Sequence, residues 1–92
     1  MTRICCDLRR PEMRFEGHAG AGAPGQDPVC AAVSILMYTL LAALPAEGTR
    51  RELADGRCRV QGGDPAVYRV VAAGLRLLAE AYPENVVMEE ET

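Results

Sequence analysis

Lysine and tryptophan are absent from this chain, and histidine and phenylalanine occur once each. With one phenylalanine and three tyrosines as its whole aromatic supply, the interior must come from aliphatic side chains packed against alanine and glycine. The ten basic residues are therefore all arginine, which fits the coding bias of a GC-rich genome better than a functional choice. Basic excess is lacking too: the formal net charge is −3, and Glu89, Glu90 and Glu91 stand near the end. Nucleic acid is excluded as the main partner, because phosphate binding needs clustered cations. A basic peptide or protein suits the charge better, although an acidic end by itself reads as a solvated terminus.

No CxxC is present and the lone imidazole has no second, so neither a metal site nor a cofactor is expected. No export signal is legible, since Arg3, Asp7, Arg9 and Arg10 interrupt the first residues. Cys5, Cys6, Cys30 and Cys58 are accordingly expected as free thiols in the cytoplasm. The one long apolar run, Val29 to Leu44, falls short of the roughly 20 residues of a membrane span. It contains Ser34 and Thr39 and stops at Pro45, so it reads as a core helix, with no membrane partner. Residues 1–92 suffice for one domain, and a chain this small gains by pairing with a copy of itself, so a homodimer is expected.

Thr2 to Arg9 alternates Ile4, Cys6 and Leu8 with polar or exposed neighbours, the period of a half-buried strand. Arg10-Pro11-Glu12 breaks it, and Met13 to Glu16 returns as a second strand. Gly17 to Gln26 is rich in Gly, Ala and Pro around His18 and predicts a mobile loop. Asp27-Pro28 then reads as an N-cap followed by proline at the first helical position. Val29, Ala32, Val33, Leu36, Met37, Leu40, Leu41 and Leu44 follow at helical spacing, leaving the helix apolar on most sides. Cys30, Ser34 and Tyr38 form a second stripe at i, i+4, i+8.

Arg50 to Ala54 and Arg57 to Gln61 flank Asp55-Gly56, a two-residue hairpin turn. Asp64-Pro65 repeats the helix start, with Val67, Val70, Val71, Leu75, Leu78 and Tyr82 as the expected buried face. Pro83 ends that helix, and Asn85 to Met88 predicts a last strand. The order is ββαββαβ, a sheet packed with two helices.

The chemistry concentrates where the loop meets the first helix. With Asp27 as N-cap, Cys30 falls at the third helical position, where free amides and the helix dipole favour a thiolate. The same amides suit the oxyanion of a tetrahedral intermediate. His18 lies twelve residues upstream, and an imidazole beside a thiol can accept its proton and then protonate a leaving amine. Cysteine is also a common small core hydrophobe. Asp27 suits either orienting the imidazole or capping the helix. Ser34 suits either a bond within the site or one to its own helix.

Gly17-His18-Ala19-Gly20, followed by Gly25-Gln26-Asp27-Pro28-Val29-Cys30-Ala31-Ala32-Val33-Ser34, closely resembles the ribosomal-processing cysteine protease family, Prp. The resemblance implies an α+β domain with a mainly antiparallel sheet, usually dimeric. It implies removal of a short, basic N-terminal extension from large-subunit ribosomal protein twenty-seven during ribosome assembly. By the same analogy His18 and Cys30 are the catalytic dyad, with Gly17, Asp27, Val29 and Ser34 as supporting residues. Gly20, Ala21, Gly22 and Gly25 match the loop that moves over the bound peptide. Two positions depart from the pattern. Ala21-Gly22-Ala23 stands where members often carry an aromatic residue, and Pro28 replaces an aliphatic one. Proline has no N–H to give, which leaves the Val29 and Cys30 amides for an oxyanion. Two other classes stay in view: an inactive ribosome-associated binding module, and a thiol redox sensor using Cys30.

Overall fold

The computed structural model describes residues 1–18, 20, 22 and 25–91. In chain order the elements are β1 (Thr2–Asp7), β2 (Glu12–Gly17), α1 (Pro28–Ala43), β3 (Arg50–Ala54), β4 (Arg57–Gln61), α2 (Pro65–Ala81) and β5 (Val86–Glu91). The strands form one sheet in the order β3-β4-β2-β1-β5. Every neighbouring pair is antiparallel except β1 with β5. That parallel pair needs a crossover connection, and α2 supplies it between β4 and β5. The ββαββαβ order and the mainly antiparallel sheet are those the alternation, turns and caps indicate.

Register explains why one face is dry. Ile4 stands opposite Phe15 and Cys6 opposite Met13, while Phe15 and Met13 in turn face Cys58 and Val60 on β4. These side chains share one face and join Val29, Val33 and Leu40 of α1 and Tyr68, Val71 and Leu75 of α2 in a single core. The alternate positions, among them Arg3, Arg14, Glu16, Arg57 and Arg59, turn to the other face, which the helices leave open. Both helices begin as their sequences predict. The Asp27 side chain accepts from the Cys30 N–H and the Asp64 side chain from the Ala66 N–H, with proline in the first turn of each.

Two expectations are corrected, on α2 and at the acidic end. In α2 the buried aromatic is Tyr68, whose hydroxyl donates to the Gly62 carbonyl at 2.7 Å, while Val70 is 74 % and Tyr82 44 % exposed. The inward stripe runs through Tyr68, Val71, Ala72 and Leu75, and Val70, one residue from Val71, is turned about 100° away. In α1 the expected stripe does face the core, through Val29, Val33, Leu40 and Leu44, while Ile35 and Tyr38 on its other sides are exposed. The acidic end is not a solvated tail. Residues Glu89 to Glu91 belong to β5, where Glu90 pairs with Arg76 through two bonds and Glu91 pairs with Arg9. Among the described residues no helix is long and apolar enough to cross a membrane, and the four thiols are unbridged.

Candidate active site

β2 ends on Gly17 because no other residue fits there. Its φ is +88°, and a Cβ would stand 2.4 Å from the Met1 carbonyl oxygen. Its N–H donates to the Gly56 carbonyl at 2.8 Å, so the strand end is tied to the turn between β3 and β4. His18 follows at once and is exposed. Its imidazole edge lies along that same turn, with Nε2 3.4 Å from where a Gly56 Cβ would be.

Cys30 arrives from the other side, on the first turn of α1, and is half-buried. Its N–H donates to Asp27 Oδ1 at 2.9 Å, and the Ala31 N–H to the Asp27 carbonyl at 3.0 Å. Asp27 is thus the cap in fact. The Cys30 amide, which the sequence left free for an oxyanion, is committed to that cap. Val29 is 2 % exposed and lines neither of the cavities beside Cys30, so its side chain belongs to the core and only its backbone remains for the site.

His18, Cys30 and Ser34 are common to two adjoining cavities. One, of about 280 Å³, is also lined by Gly17, Met37, Tyr38 and the turn residues Asp55, Gly56 and Arg57. The other, of about 430 Å³, is lined by Asp27, Gly20, Gly22 and Gly25. The Cys30-Ser34-Tyr38 stripe read from the sequence therefore faces a single cavity. No hydrogen bond joins His18 to Cys30 among the described residues. Ala21, assigned to the substrate loop, lies outside the described residues.

The other thiols have different surroundings. Burial pushes the Cys6 thiol up to about 11, with Glu90 and Asp7 adding to the effect. Burial also raises the Cys58 thiol. Both are core residues, and Cys5 is half-buried on the open face of the sheet. Among the described residues no group of acidic, thiol and imidazole side chains is placed to hold a metal ion. Sequence reasoning missed the part that the β3–β4 turn plays in the site. Asp55-Gly56 announced a hairpin, but nothing local said that its tip would meet His18.

Comparison with known proteins returns the same family. Residues 7–87 match the family described as cysteine protease Prp. The chain is similar in fold to the S. aureus ribosomal processing protease Prp solved with a covalently linked product peptide, at a TM-score of 0.87 and 21 % identity over 99 % of this chain and 100 % of that one. It is likewise similar to the S. aureus Prp solved with a substrate peptide, at 0.80 and 20 % identity over the same shares. SMU.848 from Streptococcus mutans gives 0.67 and 24 % identity, over 99 % of this chain and 92 % of that one. No curated protein matches.

Proposed function

The chain belongs to the cysteine protease Prp family and is a cysteine protease, and from that premise we propose that His18 and Cys30 cleave the N-terminal extension from large-subunit ribosomal protein twenty-seven. The observation that carries the proposal is the placing of His18 and Cys30 on the boundary of two cavities. An endopeptidase must accommodate chain on both sides of the scissile bond, and a dyad at such a junction allows it. The S. aureus relative takes a substrate peptide and holds a product peptide covalently, which supports a peptide substrate and a covalent intermediate here.

The reaction needs two proton transfers through one imidazole. His18 accepts the Cys30 thiol proton as Sγ attacks the scissile carbonyl, and the carbonyl electron pair moves onto oxygen. Collapse of the tetrahedral species breaks the C–N bond, and His18 returns the proton to the leaving amine. Water then attacks the thioester while His18 takes its proton. The acid product leaves, and the proton goes back to Cys30 Sγ. The dipole of α1 favours the oxyanion. Asp27 caps the turn that carries Cys30, and Ser34 sits one helical turn further on, within both cavities.

The substrate extension is basic, in keeping with the −3 charge of the chain. The working form is a cytoplasmic homodimer. The outward faces of the helices support the dimer, because Ile35, Tyr38 and Ala42 on α1 and Val70, Ala73 and Leu77 on α2 are all exposed. An Ile35→Arg, Val70→Glu double variant that leaves the molar mass in solution unchanged counts against this face.

The decisive experiment is mass spectrometry after incubation with the extended ribosomal protein of the same organism. Loss of one N-terminal fragment is expected with the wild-type chain, and none with Cys30→Ala or His18→Ala. An intact extension, or cleavage by Cys30→Ala, overturns the proposal.

A further inference from the structure

The backbone that carries His18 is held by a turn remote from it in sequence. The Gly17 N–H donates to the Gly56 carbonyl at 2.8 Å. That bond extends the β2–β4 ladder one step past its last pair, Glu16 opposite Arg57. His18 therefore leaves the sheet at a point fixed by the β3–β4 turn. Its side chain rests on the same turn. A Cβ on Gly56 would meet His18 Nε2 at 3.4 Å and Cδ2 at 4.0 Å, and no other atom of the described residues within 4 Å. A methyl group would touch the ring. Any atom beyond it would compete with the ring for space.

We propose that Gly56 is a positioning residue for His18: its missing side chain lets the imidazole lie against the β3–β4 turn, on the wall of the cavity that also holds Cys30. The inference rests on His18 and Cys30 being the catalytic pair. Its distinct claim is that the seat of the histidine belongs to the hairpin and not to the loop that follows His18. Gly56 supplies no group to the reaction and acts only through the seat of the imidazole, so its loss should act on turnover more than on substrate binding.

The test compares Gly56→Asn with Gly48→Asn. Both glycines are left-handed, at φ +68° and +81°, a conformation asparagine accepts. Among the described residues a Cβ on Gly48 meets nothing within 4 Å, so it is a matched control for backbone strain. His18 is the only histidine, so its ring signals in an NMR spectrum need no further assignment. In Gly56→Asn those signals are expected to shift, and kcat for an extension peptide to fall roughly 10- to 100-fold with KM within about 3-fold of wild type. Gly48→Asn should leave the signals and kcat as they are. Gly56→Ala, the milder variant and the substitute should Gly56→Asn not fold, should move both in the same direction by less. A folded Gly56→Asn chain with wild-type ring signals and kcat overturns the inference, as does an equal loss in Gly48→Asn. If the wild-type chain cuts no peptide, the proposed function fails by itself, and the ring signals still decide whether Gly56 seats His18.

Discussion

Replacing Asp27 by alanine separates the two reasons this carboxylate has for standing beside Cys30. The first turn of α1 has few amides to spare: Pro28 has none, Ala31 is bonded to the Asp27 carbonyl, and Cys30 is bonded to its side chain. Alanine leaves the Cys30 N–H without that partner in a half-buried place. Loss of an N-cap costs about 1 kcal/mol, within a range of about 0.5–2, and partial burial of the orphan amide favours the upper half. In a domain of 92 residues, about 1–2 kcal/mol lowers Tm by roughly 4–16 °C. Asp27→Ser keeps an oxygen acceptor at the cap and should stay within a few tenths of a kcal/mol of wild type. Thermal and urea unfolding followed by far-UV circular dichroism measures both. Cleavage assayed well below either midpoint should fall in Asp27→Ala, because a frayed first turn no longer holds Cys30 still, and should largely return in Asp27→Ser. Unchanged stability in Asp27→Ala refutes the cap argument. A stable but inactive Asp27→Ser chain would show that the site needs the charge and not the cap.

Gly17→Ala should be among the most damaging single-methyl changes in this chain. It forces a side chain into a left-handed position and sets a Cβ 2.4 Å from the Met1 carbonyl oxygen. A loss of at least about 1–2 kcal/mol in urea unfolding is expected, and a wild-type midpoint would contradict the reading of this strand end. Alkaline pH should weaken the fold through Cys6 and Tyr68, whose burial raises them from 9.0 to about 11 and from 10.0 to about 12. Each stays protonated in the folded chain while its unfolded counterpart ionises, so stability is full below about pH 9 and falls through about pH 11 for Cys6 and 12 for Tyr68. Cys6→Val should flatten the first part of a stability–pH curve measured by denaturation, and an identical slope would contradict it. In the native chain iodoacetamide should label Cys30 before Cys6 or Cys58. With its thiol pushed up to about 11, Cys6 holds far fewer thiolates than an ordinary thiol at neutral pH. Equal labelling of Cys6, read by peptide mass spectrometry, would show that the core opens on the time scale of the reaction.

What the sequence made legible is what local physics decides. Asp27-Pro28 and Asp64-Pro65 place both helix starts because capping and the fixed φ of proline act within one turn. Asp55-Gly56 places its hairpin to the residue, since two left-handed or turn-forming positions suffice for it. Strand alternation sorts Ile4 and Cys6 from Arg3 and Cys5. Where helical faces had to be chosen, pattern alone failed. Val70 and Tyr82 are as apolar as the residues that won, and only the position of α2 over the sheet decides for Tyr68 and Ala72. The glutamates of β5 misled for a related reason: β-propensity is low for them, but pairing with β1, Arg76 and Arg9 outweighs it.

The two halves of the dyad divide along the same line. Cys30 is set by its own neighbours in sequence, through the Asp27 cap and the start of α1, and its chemical surroundings were legible before any fold was known. His18 sits in a stretch of Gly, Ala and Pro that looks like a loop, yet it is the first residue past a strand, and that strand end is bonded to a turn near position 56. Register between β2 and β4 makes that meeting, and register is a property of the whole sheet. The thiol therefore depends on the integrity of one helix turn, and the imidazole on the docking of the β3–β4 hairpin. β3 is an edge strand with one neighbour and four of its five residues exposed, so it opens more readily than the core-packed start of α1. Of the two residues, His18 is the one whose placement can be lost while the rest of the molecule stays folded.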